Sequence, residues 1–368
     1  MKIAVLSSHT PSLFWFRMDM MRSFMDRGHE VIAIGNEPET EWSDRFNENN
    51  IRYIQADIKR NGMDPRDELR TLRSLKRILR SEIPDKLFTY QAKTIIYGGI
   101  AAHQLGIKEV YPLVAGLGSV FLGDGFKMNV AGTVLKTEYR IALRTARKVF
   151  FQNEDDAGFF VQNHLVNRDQ IVMLHGSGVN LEKFTVQPLP RETAFLCISR
   201  LIRDKGVGEY LEAARIVKEK YPDTRFLLVG PYDTNPSAIK PEELKQYIDS
   251  GIIEYFGEQT DVRPYLAQCS VFVLPSYREG TPKTVLEAMA CGKAIITTDA
   301  PGCKETVKDQ KNGFLVPARD VNAVAEKMIY LIEHPDRING MATEGRKMVE
   351  DLFDVRKVNG AIISTMRL

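Results

Sequence analysis

The chain has 368 residues, of which 43% are apolar, 27% charged and 9% aromatic, and 50 Lys plus Arg nearly balance 48 Asp plus Glu for a net charge of +2. Apolar content at that level excludes a disordered chain, and so even a balance argues against a surface built to coat nucleic acid. At roughly 100–200 residues per domain, the length implies two domains.

Short β-rich runs alternate with longer helical patterns from end to end. In the first half the strand-like runs are 2–7, 30–35, 51–56, 86–90, 109–114, 148–152 and 170–174. Helical patterns fall near 14–27, 65–82, 92–105, 127–146 and 154–165. In the second half strands are predicted at 194–199, 224–230, 252–257, 271–275, 293–298 and 313–317. Its helices are predicted near 206–220, 261–267, 282–291, 304–308, 320–333 and 336–351. Strand–helix–strand alternation implies parallel sheets with right-handed crossovers, hence a doubly wound α/β fold. The nearly continuous apolar strands fit sheets covered on both faces.

Pro188 and Pro190, among polar neighbours without periodicity, mark a linker. The expected division is an N-terminal domain over 1–182, a linker over 183–193 and a C-terminal domain over 194–350. A tail over 351–368 is expected to pack back towards the first domain. Two such lobes would face a cleft across the C-terminal ends of both sheets, where doubly wound sheets bind ligands.

The four cysteines (197, 269, 291, 303) are far apart and form no C-x-x-C pair, which argues against a disulfide scaffold or a Cys-rich zinc site. No run approaches the ~18 apolar residues needed to cross a bilayer. The opening MKIAVLSSHTP has only Ile3 to Leu6 as an apolar stretch and is followed by bulky and charged residues, so it reads as a first strand and not as a secretory leader. A cytoplasmic protein is expected.

The densest chemistry lies in PSYREGTPKTVLEAMACGKAIITTDAPGCKE (275–305), at a strand end entering a helix. Pro282 is expected at the first helical position, where a missing N–H does no harm. Amides of 281 and 283–284, with the helix dipole, suit a phosphate, so Thr281, Lys283 and Thr284 join the candidate anion site. Glu279 stands just outside the helix and Glu287 inside it; a carboxylate there can accept two hydrogen bonds from a vicinal diol such as ribose. The plainer alternative makes Glu279 a capping carboxylate and Glu287 a solvated face. A second loaded loop is ISRLIRDKGVGEYL (198–211), where Arg200 and Lys205 can converge on one anion; alternatively they are two exposed basic side chains in a turn.

EGTPKTVLEAMACGKAII resembles the E-x7-E signature of retaining nucleotide-sugar glycosyltransferases of family 4, which have the GT-B fold of two Rossmann-like lobes, and SRLIRDKGV resembles that family's R-x4-K-G loop. The resemblance implies that Arg200 and Lys205 hold the donor diphosphate, that Glu279 reaches the donor sugar and that Glu287 holds the ribose. LVAGLGSVFLGDGFK (113–127), FFQNEDDAGFF (150–160) and HGSGVNLEKF (175–184) are similar to bacterial enzymes that add N-acetylhexosamines to undecaprenyl-diphosphate sugars, among them N-acetylgalactosaminyltransferases. What this implies is a retaining hexosyltransferase using a UDP-sugar and a lipid-linked saccharide acceptor. The alternatives are another UDP-hexose donor in capsule or O-antigen synthesis, or a GT-B UDP-sugar epimerase. A sugar-binding protein without turnover is disfavoured because it would normally be exported.

No Asp-x-Asp occurs, so the carboxylate pair that often holds Mg²⁺ on a sugar nucleotide is missing and a metal-independent reaction without cofactor is expected. G-x-G-x-x-G after the first strand, Walker A and G-x-S-x-G are absent as well, which argues against dehydrogenase, NTPase and serine-hydrolase readings. For the acceptor the candidates are His9, Arg17 and Lys127, with Ser12 beside them. Residues 126–148 hold six Lys or Arg against Glu138 alone, interleaved with apolar residues expected to stay buried. Such a basic amphipathic helix suits either the sheet surface or an anionic membrane surface, placing the protein peripherally on the inner face of the cell membrane.

Overall fold

The computed structural model of the chain describes residues 1–59, 62, 64–117 and 126–368, with side chains throughout except at 126–130. The chain divides into two compact units. One comprises 1–177 together with 358–368, the other 178–357.

The first unit runs β1 (Lys2–Ser7), α1 (Thr10–Met25), β2 (Glu30–Gly35), α2 (Glu39–Asn47), β3 (Arg52–Gln55), α3 (Pro65–Glu82), β4 (Lys86–Tyr90), α4 (Ala92–Leu105), β5 (Val110–Val114), α5 (Phe126–Leu143), β6 (Val149–Phe151), α6 (Glu154–Gln162) and β7 (Ile171–Met173). Its seven strands are parallel, in the order β3-β2-β1-β4-β5-β6-β7. The second unit runs β8 (Ala194–Ile198), α7 (Val207–Lys220), β9 (Arg225–Val229), α8 (Pro241–Asp249), β10 (Glu254–Tyr255), α9 (Arg263–Leu266), β11 (Val271–Leu274), α10 (Lys283–Ala290), β12 (Ala294–Thr298), β13 (Gly313–Val316), α11 (Val321–Glu333) and α12 (Asp336–Met348). Its six parallel strands are ordered β10-β9-β8-β11-β12-β13. A π-turn over 349–353 leads into α13 (Val355–Met366).

Each sheet reverses direction once, between β1 and β4 in the first unit and between β8 and β11 in the second. The loops leaving these neighbouring strands diverge to opposite faces, which opens the crevice where doubly wound sheets bind ligands. Apolar residues of β1, such as Ile3 and Val5 on one face and Ala4 and Leu6 on the other, enter separate cores, as alternation along a doubly covered strand requires.

Three helices lie outside the predicted set. The segment that forms α2 carries only Trp42 and Phe46 as buried residues, and α8 buries only Leu244. One or two apolar residues leave no periodicity to read. Helix α13 lies in the expected C-terminal tail, for which no helix is predicted; Val358, Ile362, Ile363 and Met366 bury it in the core of the first unit. The short pattern at 304–308 is a 3₁₀ turn over 304–306, and α1 begins at Thr10, not near 14, with Pro11 in its first turn.

The division at 177/178 also differs from the expected linker at 183–193. Phe184 belongs to the second core and Leu189 packs against it. Arg346 donates to the carbonyls of Phe184 and Ala290 at 3.0 and 2.7 Å, and Gln187 N donates to Cys291 O, so this proline-bearing segment is held on the end of α10.

Candidate functional site

At the reversal point of the second sheet, the loop after β8 meets the loop after β11. Lys205 Nζ donates to Glu279 Oε1, and both side chains are largely buried. Two backbone contacts fix the approach: Ser276 Oγ and Tyr277 N both donate to Asp204 O, at 3.1 and 2.9 Å. Two glycines make such closeness feasible. Gly206, at φ +72°, lies where a Cβ would stand 2.1 Å from the Pro275 carbonyl oxygen. Gly302, at φ +83°, lies where a Cβ would stand 2.1 Å from the carbonyl oxygen of Glu279 itself. No L-residue fits either position without moving the site loops.

Arg200 does not share the partner of Lys205. Its Nη1 donates to Asp233 Oδ2 at 2.8 Å, in the loop after β9. The two cations are thus spread along the edge of the sheet, each facing an acid, and an arriving anion competes with both acids. Asp233 carried no signal in the sequence, for it lies outside any motif and owes its place to the pairing of β9 with β8.

Helix α10 begins at Lys283, one residue later than expected, with Pro282 as the residue before it and no acidic side chain in its first turn. Thr281, Lys283 and Thr284 therefore stand around a helix N-terminus whose dipole favours an anion. Glu287, one turn further on, is buried. Desolvation pushes its carboxyl up to about 7, opposed by Lys283 and Lys183 and aided by Asp261. Burial sets aside the solvated-face alternative for Glu287, while Glu279 is ion-paired to Lys205. Lys183, assigned by sequence to the linker, is within electrostatic reach of Glu287 and Asp261. All four cysteines are buried thiols, and burial raises each of them, Cys303 to about 12 beside Glu279.

In the first unit, Gln91 joins the loops of the reversal point. Its Oε1 accepts from Ser7 Oγ, Ser8 N and Ser8 Oγ at 2.9, 3.0 and 2.8 Å, and its Nε2 donates to Ser12 Oγ at 3.0 Å. Gln91 holds φ +75° and ψ 143°, a backbone state that costs a non-glycine residue about 1–3 kcal/mol and persists only where the surroundings impose it. His9 caps α1 through its carbonyl, which accepts from Ser12 N and Leu13 N. Arg17 is buried with its guanidinium 4.7 Å over the Tyr90 ring. The side chain of Lys127 lies outside the described residues.

Helix α5 departs from expectation. Tyr139, Ala142 and Leu143 are buried, yet Val134 and Ile141 are 52% and 47% exposed. Val134 and Ile141 are two turns apart on one face, exposed Arg140 adjoins Ile141, and exposed Arg144 follows the last helical residue. Arg140 also donates to the carbonyls of Asn163 and His164 at the end of α6. Among the described residues no cluster of His, Cys, Asp and Glu has the makings of a metal site, and no helix is long and apolar enough to cross a membrane.

Two doubly wound parallel-sheet units fit the GT-B fold, and the chain belongs to the family-4, group-1 glycosyltransferases. Residues 2–153 match the family described as glycosyl transferase 4-like, and 192–334 match glycosyl transferases group 1. The chain is 31% identical, over 347 residues and 90% of each chain, to the N,N′-diacetylbacillosaminyl-diphospho-undecaprenol α-1,3-N-acetylgalactosaminyltransferase of Campylobacter jejuni. It is 27% identical over 306 residues, 79% of this chain and 77% of the relative, to the UDP-Gal:α-D-GlcNAc-diphosphoundecaprenol α-1,3-galactosyltransferase of Escherichia coli. In fold it is similar to the sucrose-phosphate synthase of Thermosynechococcus elongatus, with a TM-score of 0.81 at 20% identity covering 100% and 98% of the two chains. Anabaena HepE in complex with UDP-glucose superposes with a TM-score of 0.78 at 18% identity, covering 100% and 99%.

Proposed function

We propose that this glycosyltransferase moves an N-acetylhexosamine, with GalNAc as the first candidate, from UDP to a polyprenyl-diphosphate-linked saccharide, with retention at the anomeric carbon. The observation that carries the donor half is the pair of cations at the reversal point of the second sheet, Lys205 on Glu279 and Arg200 on Asp233, beside the N-terminus of α10. The acceptor class is supported by both relatives, whose names specify diphospho-undecaprenol acceptors, and the sugar by the first of them, named as an N-acetylgalactosaminyltransferase.

In this reading Arg200 and Lys205 hold the donor diphosphate and offset the charge that grows on UDP as its bond to the anomeric carbon breaks. That charge compensation is the largest catalytic term available here. Thr281, Lys283 and Thr284 add donors at the head of α10. Glu279, released from Lys205, orients the hydroxyls of the transferred sugar, and Glu287 accepts from the ribose diol. As the bond from the anomeric carbon to the UDP oxygen breaks, the acceptor hydroxyl oxygen forms the new bond to that carbon and passes its proton to the departing diphosphate oxygen. Two cations and a helix dipole supply the positive charge that a metal supplies elsewhere, so the reaction is proposed to run without one. His9, Arg17 and Lys127 are assigned to the acceptor. The exposed Val134, Arg140 and Ile141 of α5, with Arg144 just past its end, are assigned to peripheral contact with an anionic membrane on its cytoplasmic side.

A panel of UDP-sugars offered with a polyprenyl-diphosphate saccharide tests the proposal, with the anomeric configuration of the product read by NMR. UDP-GalNAc should be preferred and its α-linkage kept. Inversion, or turnover of a UDP-sugar to its epimer without acceptor, would refute it.

A further inference from the structure

Arg17 is 4% exposed, and its Nε is sealed from solvent with no hydrogen-bond partner. Among the described residues its side chain makes no ion pair. What it does face is Tyr90, the last residue of β4, at the reversal point of the first sheet. Burial pulls the guanidinium below its ordinary value, and Tyr90 alone opposes that shift.

The energies do not balance within the protein. The attraction of a guanidinium to a Tyr ring is smaller than the cost of taking an unpaired charge out of water. The neighbouring groups offer no relief. Tyr90 Oη and Gln91 Nε2 are both engaged with Ser12 Oγ, and Gln91 Oε1 is saturated by Ser7 and Ser8. Glu37 Oε2 accepts from Thr10 N at the head of α1 at 2.6 Å, and Glu37 is not among the groups that act on Arg17. Arg200 and Lys205, by contrast, each hold an acid. The polar loops around Arg17 are cross-linked and strained at Gln91, so the corner is built before any ligand arrives.

We propose that Arg17 is a phosphoryl-binding residue of the first unit, the counter-ion for the diphosphate of the lipid-linked acceptor. This rests on the acceptor class proposed above. The donor diphosphate already has two cations in the second unit, and the acceptor brings a second diphosphate that requires one of its own. A planar, permanently charged guanidinium suits two oxygens of one phosphoryl group better than a lysine does.

Thermal-shift titrations of the wild type, Arg17→Met and Arg17→Lys test this, with UDP saturating so that the donor site is filled. The probes are geranyl diphosphate, inorganic pyrophosphate and geraniol. Geranyl diphosphate should raise the wild-type Tm and geraniol should not. Arg17→Met should bind geranyl diphosphate at least ten-fold more weakly, with Arg17→Lys between the two. Without ligand Arg17→Met should melt no lower than the wild type, because it removes an uncompensated buried charge; a merely structural arginine would lower the Tm. Equal affinity in Arg17→Met, a response to pyrophosphate and none to geranyl diphosphate, or weaker UDP binding by Arg17→Met in a separate UDP titration would each overturn the assignment, the last by giving Arg17 to the donor. If geranyl diphosphate binds through Arg17 but no lipid-linked saccharide is glycosylated, the proposed acceptor reaction fails and the phosphoryl site stands.

Discussion

Lys205 and Glu279, 74 residues apart in sequence, are hydrogen-bonded across the reversal point of the second sheet, with Gly206 and Gly302 bringing their loops into backbone contact. The ion pair ties the cation proposed for the leaving diphosphate to the acid proposed for the transferred sugar, so the two substitutions should have different signatures. Lys205→Ala should lower kcat/KM about thirty- to thousand-fold, or about 2–4 kcal/mol of transition-state stabilisation, and weaken UDP as well. Glu279→Ala should lower kcat more than UDP affinity. Steady-state kinetics with UDP titrations check this; unaltered kcat/KM in Lys205→Ala would remove the diphosphate assignment.

Glu287 predicts two opposite pH effects. Its carboxyl sits near 7 in the fold against an ordinary value of 4.5, so the folded state binds more protons than the unfolded one between those limits. Stability should fall as pH rises from about 4.5 to 7 and then level off. Glu287→Gln should therefore be more stable than wild type at pH 8, by an amount on the order of 3 kcal/mol, and little different at pH 4. UDP binding moves the other way. Only the carboxylate accepts two hydrogen bonds from a diol, so affinity should weaken as pH drops below about 7 in the wild type and stay flat in Glu287→Gln. Chemical denaturation and calorimetry across pH 4–8 measure both.

Activity should survive EDTA. Arg200, Lys205 and the head of α10 are proposed to replace a divalent ion, so chelation should leave kcat within about two-fold of the untreated enzyme. Loss of turnover in EDTA, restored by Mg²⁺ or Mn²⁺, would contradict this.

Membrane attachment should need both the basic and the apolar residues exposed on α5. The protein should co-sediment with phosphatidylglycerol vesicles far more than with phosphatidylcholine, and binding should fade between 0.1 M and 1 M salt as the Debye length shortens from about 10 to 3 Å. Val134→Ser with Ile141→Ser should weaken it without unfolding the helix, because both side chains already face outward. Arg144→Glu is the cleaner charge reversal, since Arg140 also caps α6 and its loss would disturb the first unit. Equal sedimentation with both lipids would return α5 to a solvated surface helix.

Much of the fold was legible in the sequence because parallel strands buried on both faces are short apolar runs. Each of the thirteen strand segments forms at or within two residues of its predicted ends. The helices α2 and α8 were illegible for the converse reason: with one or two buried residues each, they depend on the sheet they cover. The E-x7-E and R-x4-K-G motifs named Glu279, Glu287, Arg200 and Lys205, because a loop that must enter a helix and carry charge writes its pattern locally. Which acid meets which cation was not local. Asp233 reaches Arg200 because β9 lies beside β8, and Glu279 reaches Lys205 because β11 lies on the other side of it. The burial that raises Glu287, and the counter-ion that Arg17 lacks, arise only when distant segments close around a charge and take away its water. Residue type and spacing determined what chemistry the chain carries; strand order and burial decided which groups are paired, which are strained and which still await a partner.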